Sequence, residues 1–159
     1  IEHSLSPELY KRHLSSQLTS YDLFSCPSGK EVPSLSYFAK RLEGLNITSP
    51  YKTHFFSQVF IESEIVQKIG AINTIAFKGN KAFGTNTDYL ALKKIYSEKY
   101  RIDKEHPFII LLGDGVMASL TRIFLSELGA TFQQYSRKTI SCFDYLDISS
   151  LSSRHRRVL

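Results

Sequence analysis

The chain has 159 residues, 42% of them hydrophobic and 22% charged, a composition that excludes intrinsic disorder and suffices for one full core, or one small core plus part of another. Lys plus Arg number 20 against 15 Asp plus Glu, for a net charge of +5; this suits phosphate-bearing small ligands as well as nucleic acid, and charge alone chooses neither. No apolar run approaches the roughly 20 residues of a membrane span, and the N-terminus lacks the basic-then-apolar layout of a signal peptide.

In chain order, Ser6-Pro7-Glu8 predicts a helix start, with Ser6 as N-cap and Pro7 at the first helical position, and the helix should run to about Leu18. Tyr21 to Ser25 alternates like a short strand. Cys26 and Cys142 lie far apart, with no Cys-x-x-Cys and no His at ligand spacing, so neither a metal site nor a disulfide framework is expected. A reduced, cytoplasmic compartment follows. Pro33 to Glu43 predicts a second helix stopped by Gly44, and a brief strand, Leu45 to Ile47, leads into the loop Thr48-Ser49-Pro50-Tyr51-Lys52, since Pro50 pushes Ser49 out of helical geometry.

Glu62 to Lys68 predicts one or two helical turns ending at Gly70. Asn73 to Lys78 and Lys81 to Thr85 flank Gly79-Asn80, a two-residue hairpin turn. Asn86-Thr87-Asp88 follows, with a helix from Leu90 to Tyr100, so Asp88 sits at a strand-to-helix junction. Tyr100 to Pro107 is charged, without apolar periodicity, and is expected to link two domains. Beyond it, Phe108 to Leu112 is a continuous apolar run of the kind found in buried parallel strands. Then come Gly113-Asp114-Gly115, a helix from Val116 to Leu128 closed by Gly129, and a strand from Thr131 to Tyr135. The expected fold class is α/β: an N-terminal α/β domain over residues 1–100, then a partial Rossmann domain, a doubly wound parallel sheet, over residues 101–159. Arg154 to Arg157 lacks interleaved aromatics and is expected to be a solvated tail rather than a nucleic-acid surface.

Four groups of residues carry chemistry. Gly113-Asp114-Gly115-Val116-Met117-Ala118 matches G-x-G-x-x-A between strand and helix: Gly113 permits the tight turn, Gly115 lets backbone approach a pyrophosphate, and Ala118 allows close helix packing. A plain β–α turn has the same pattern, and Asp114 would repel a pyrophosphate unless its side chain points away. At the end of the following strand, Ser136-Arg137-Lys138 offers cations where an NAD site carries an acid, which favours the 2′-phosphate of NADP. Finally, Lys52 follows Pro50 on a constrained loop and can donate a proton to an oxygen gaining charge. By themselves, Lys52 reads as a surface lysine and Asp88 as an acid placed for the helix dipole. Small polar residues at element ends, among them Ser4, Ser6, Asn46, Thr48, Asn73 and Asn86, each read singly as a cap or turn residue, and together would line a pocket for a polyhydroxylated anion.

Four segments in order, Ser4-Leu5-Ser6-Pro7, Asn46 to Lys52, Ile69 to Thr74 and Gly84 to Asp88, resemble the signature segments of shikimate dehydrogenases. The resemblance extends to about Lys138, with Ser136-Arg137-Lys138 similar to that family's NADP-holding segment. It implies NADP-dependent reduction of 3-dehydroshikimate to shikimate within aromatic amino-acid biosynthesis, with Lys52 and Asp88 as the catalytic pair. Ser4 and Ser6 would hold the substrate carboxylate, and Thr48, Lys52, Asn73 and Asp88 its hydroxyls. Gly113, Gly115, Ala118, Ser136, Arg137 and Lys138 would hold NADP. The implied partner is the small-molecule substrate, with no nucleic acid, membrane or metal, and with room for a homodimer. Preference for quinate or another cyclic hydroxy acid, and a silent ligand-binding remnant, are the alternatives. Family members are longer, and the chain opens at Ile1 without methionine and closes at Leu159 in a Ser/Arg-rich stretch, so both ends are expected to be cut.

Overall fold

The computed structural model describes residues 4–14, 16, 20–99, 108–136, 138 and 156–158. The chain divides into two compact units, Ile1–Ser34 and Leu35–Leu159.

In the first unit, helix α1 spans Ser6–Leu14. Its predicted continuation to Leu18 falls on residues partly outside those described. The hydroxyl that serves the helix start is that of Ser4, not Ser6: Ser4 Oγ accepts the Ser6 amide at 3.3 Å. Residues 21–25 are irregular rather than a strand. Among the described residues no second strand bonds to them, and an unpaired strand leaves its amides and carbonyls without partners. Tyr21 instead packs its ring on Tyr10, with centroids 4.8 Å apart.

Among the described residues, the second unit contains two three-stranded sheets. Helix α2 is only Leu35–Ala39, shorter than the predicted Pro33 to Glu43. The cause lies in the sheet: the Phe77 amide donates to the Glu43 carbonyl at 2.9 Å, drawing the chain out of the helix, so Gly44 opens a strand instead of capping a helix. That strand, β1 (Gly44–Asn46), pairs antiparallel with β2 (Thr74–Lys78), and β2 pairs antiparallel with β3 (Lys81–Thr85) across Gly79-Asn80. Between β1 and β2, helix α3 (Glu64–Ile69) is capped by the Ser63 hydroxyl and ends at Gly70. A 3-10 turn at Phe56–Gln58, for which the sequence carries no signal, precedes it. Ile72 and Ile75 are fully buried in this sheet's core.

Helix α4 spans Thr87–Lys99 and starts three residues before the predicted Leu90. Its buried stripe is Tyr89, Leu92 and Tyr96, the i, i+3, i+7 spacing of a helix face, while Leu90 and Ile95 face outward. The predicted linker from Tyr100 to Pro107 lies outside the described residues. Strand β4 (Phe108–Leu112), helix α5 (Val116–Glu127) and strand β5 (Phe132–Tyr135) form the expected β–α–β unit, with β4 and β5 parallel.

The C-terminal tail differs from its prediction. Arg156–Val158 form strand β6, parallel to β4 on the edge opposite β5, giving the order β5-β4-β6. The reason is hydrogen bonding: Ile109, Ile110 and Leu111 are buried, and a buried strand needs backbone partners along both edges. Tyr89, Tyr96, Ile109, Leu120, Phe124 and Leu125 form one apolar cluster joining α4, β4 and α5.

Candidate active site

The end of the first sheet where β1 finishes, β2 starts and β3 finishes collects the polar residues. The register Asn46↔Thr74 and Thr74↔Thr85 aligns these three termini, so the residues just beyond them are neighbours although distant in sequence. Ile47 continues the alignment by donating its amide to the Asn73 carbonyl at 2.8 Å, which brings Thr48 beside Asn73.

Lys52 is anchored from both sides. Its carbonyl accepts the Ile72 amide at 2.8 Å, and upstream the Tyr51 amide donates to the Thr48 carbonyl at 2.9 Å, closing the loop around the cis Ser49–Pro50 bond. With the backbone so pinned, Lys52 Nζ reaches Asp88 Oδ2 at 2.7 Å. The lysine side chain is 13% exposed and the aspartate 31%, so the pair is sheltered yet open to a ligand.

Asp88 owes its position to Asn86. That side chain is fully buried, donates from Nδ2 to the Ala71 carbonyl at 2.9 Å and accepts the Tyr89 amide on Oδ1 at 3.2 Å. It is thus the N-cap of α4 and a tie to the segment before β2, so its polar atoms are committed to the fold rather than to lining a pocket. Asn73 adds a second tie, its Oδ1 accepting the Thr87 amide at 2.8 Å and its Nδ2 donating to Thr87 Oγ1 at 2.9 Å. Lys52, Asp88 and Asn73 are therefore held at one end of the sheet, Thr48 follows the Ile47 that bonds to Asn73, and Ser4 and Ser6 belong to the N-terminal unit. Thr87 carries no signal in the sequence because its role depends on meeting Asn73.

The glycine loop follows β4. Gly113 adopts φ 124°, a conformation that disfavours residues with a side chain, and its amide donates to the Tyr135 carbonyl at 2.7 Å. Gln134 Nε2 braces the Gly113 carbonyl at 2.8 Å, a contact no sequence signal announces. A Cβ placed on Gly113 would lie 3.8 Å from that of Ala118, so a small residue at 118 suits the close approach of α5. Around Gly115, nothing stands within 4 Å of a Cβ placed there, and no side chain caps α5 at this residue. A helix N-terminus of this kind, with no side-chain cap at its first residue, is a general feature that can hold a phosphate group. Asp114 Oδ2 meets Lys138 Nζ at 2.8 Å, and this hydrogen bond and charge hold the lysine above its ordinary pKa. Ser136 is buried, its hydroxyl accepting the Lys138 amide at 3.2 Å, and Arg137 lies outside the described residues.

The loop also occupies the right end of its sheet. Strands β5 and β6 lie on opposite sides of β4, and in open parallel sheets ligands bind outside the carboxyl end of the strand where the order reverses. The chain leaves β4 there at Gly113. These residues fit a dinucleotide. Among the described residues, no group of three or more His, Cys, Asp or Glu is placed to hold a metal ion, and no helix is long and apolar enough to cross a membrane.

Residues 1–75 match the family model of the shikimate dehydrogenase substrate binding domain. A shikimate dehydrogenase (NADP(+)) of Clostridium perfringens (strain SM101 / Type A) is 37% identical over 130 residues, 79% of this chain. The chain belongs to the shikimate dehydrogenase family. Among solved structures, a chorismate mutase/shikimate 5-dehydrogenase fusion protein from Clostridium acetobutylicum superposes with a TM-score of 0.73 at 29% identity, covering 87% of this chain and 52% of that one. Shikimate 5-dehydrogenase from Thermus thermophilus, in complex with NADP(H) and shikimate, gives 0.68 at 25% identity over 86% of this chain and 52% of its own. This shikimate dehydrogenase family chain spans about half the length of the curated relatives it matches, 47% in the Clostridium perfringens case.

Proposed function

We propose that this chain supplies the substrate-binding domain, residues 1–100, and the first part of the nucleotide domain, residues 101–159, of an NADP-dependent enzyme reducing 3-dehydroshikimate to shikimate, reversibly, in aromatic amino-acid biosynthesis. The observation that carries the reading is the Lys52–Asp88 ion pair, 2.7 Å long, at a sheet end also occupied by Asn73 and Thr48. The named relatives add support for shikimate and NADP(H) as ligands.

The glycine loop would hold NADPH, whose chemistry there would be hydride donation to the carbonyl carbon. Gly113, Gly115 and Ala118 would shape that loop for the pyrophosphate, and the family resemblance assigns the adenosine ribose and its 2′-phosphate to Ser136, Arg137 and Lys138. The Lys52–Asp88 pair delivers one proton to the carbonyl oxygen, and the ammonium stabilises the negative charge growing there. Asp88 keeps Lys52 in a fixed orientation, while Thr48 and Asn73 receive ring hydroxyls. Ser4 and Ser6 are assigned the carboxylate by the family resemblance. A homodimer and a cytoplasmic location belong to the same reading, which sedimentation and cell fractionation check.

Lys52→Ala tests the reading. In the intact protein, turnover in NADP-dependent oxidation of shikimate should fall by about a hundredfold or more, with the far-ultraviolet circular dichroism unchanged. Near-normal turnover in that variant would refute the assignment.

A further inference from the structure

Sequence position alone puts no acid at the end of β5, and on that basis the site should favour a 2′-phosphate. Folding changes the chemistry of this corner. The glycine loop delivers Asp114 to the Lys138 ammonium, 2.8 Å from Nζ to Oδ2. A carboxylate therefore stands at the strand end after all, supplied by the loop after β4 instead of by β5.

We propose that Asp114 is a specificity-determining residue for the nicotinamide nucleotide, reducing the advantage of a 2′-phosphorylated ribose over an unphosphorylated one. Two physical effects act in the same direction. Lys138 can give its full charge to a 2′-phosphate only by leaving or sharing Asp114, and the carboxylate repels the incoming dianion. An unphosphorylated ribose carries no such charge, and its 2′-hydroxyl is a donor that a carboxylate accepts. Both side chains are solvent-accessible, the aspartate 43% and the lysine 85% exposed, so the pair can rearrange when nucleotide binds and the effect is one of degree.

The inference rests on the proposed nucleotide site, and its test separates the two. NADP+ and NAD+ are each titrated calorimetrically into the intact protein, into Asp114→Asn and into Lys138→Ala, with circular dichroism to verify folding. For Asp114→Asn, the ratio of NADP+ to NAD+ affinity should rise at least about fivefold, through tighter NADP+ and equal or weaker NAD+ binding. For Lys138→Ala, the ratio should fall. A ratio within twofold of the unsubstituted protein in Asp114→Asn overturns the role of Asp114 and leaves the nucleotide site standing. Absence of binding by either nucleotide in the unsubstituted protein overturns both.

Discussion

The Tyr89 hydroxyl donates to Glu127 Oε2 at 2.8 Å, joining the helix that carries Asp88 to the helix that begins at the glycine loop. The ring is 6% exposed and meets Phe124 edge to face with centroids 6.1 Å apart, so one side chain supplies both an apolar and a polar link between α4 and α5. Burial, with the hydrogen bond to and the negative charge of Glu127, raises its pKa from 10.0 to about 12.

Tyr89→Phe keeps the ring and removes the bond. Unfolding free energy should drop by about 1 kcal/mol, read as a lower urea midpoint with unchanged slope. The raised pKa adds a pH signature. Because the folded state holds the proton more tightly than the unfolded state, this contribution is complete below pH 10 and is lost as pH rises toward about 12. Comparing urea midpoints of the protein and Tyr89→Phe across that window should show the difference shrinking. A constant difference would mean that Tyr89 does not release its proton differently in the two states.

Asn86→Ala should be the more damaging change. It removes the N-cap of α4 and leaves the Ala71 carbonyl without its donor in a buried setting. The expected loss is about 3 kcal/mol, measured by thermal or chemical denaturation. Asn86→Asp, which retains the acceptor for the Tyr89 amide but not the donor to Ala71, should recover only the capping part. A loss under about 1 kcal/mol in Asn86→Ala would show that the buried bonds contribute little.

Gly84→Ala probes a close approach in β3. The new Cβ would fall 2.5 Å from Val59 Cγ2 and 3.2 Å from Ile72 Cδ1. Valine is stiff about its only side-chain torsion and Ile72 is fully buried, so neither moves freely. Overpacking here should cost about 2 kcal/mol, detected as a lower melting temperature. An unchanged melting temperature would mean that the sheet shifts without strain.

Asp88→Asn separates a catalytic role from a helix-dipole role. An amide can still accept a hydrogen bond from Lys52 but brings no charge. Under the proposed function, turnover with shikimate and NADP+ should drop by about a hundredfold, with stability changed by under about 1 kcal/mol. If stability falls while turnover is retained, Asp88 serves only the first turn of α4.

Local elements and their order are written in the amino acids themselves. The Gly79-Asn80 turn, the apolar run at Phe108 to Leu112, the glycine loop and the helix after it are specified by steric and periodic rules acting over a few residues, and all four appear as expected. The ordered motifs also point to the shikimate dehydrogenase family. Contacts between distant residues, in contrast, arise only when the chain folds. Lys52 and Asp88 stand 36 positions apart and meet because three strand ends share one edge. Asn86 reads locally as a cap or turn residue and, with its polar neighbours, as part of a pocket lining; packing buries it and makes it the cap. Gly44, expected to stop a helix, is taken into β1 because Phe77 needs an acceptor. Arg156 and Arg157 of the basic tail enter β6 because a buried strand cannot leave one edge unbonded. Asp114, which a local reading can only treat as an intruder, gains its meaning from Lys138 at the end of the next strand.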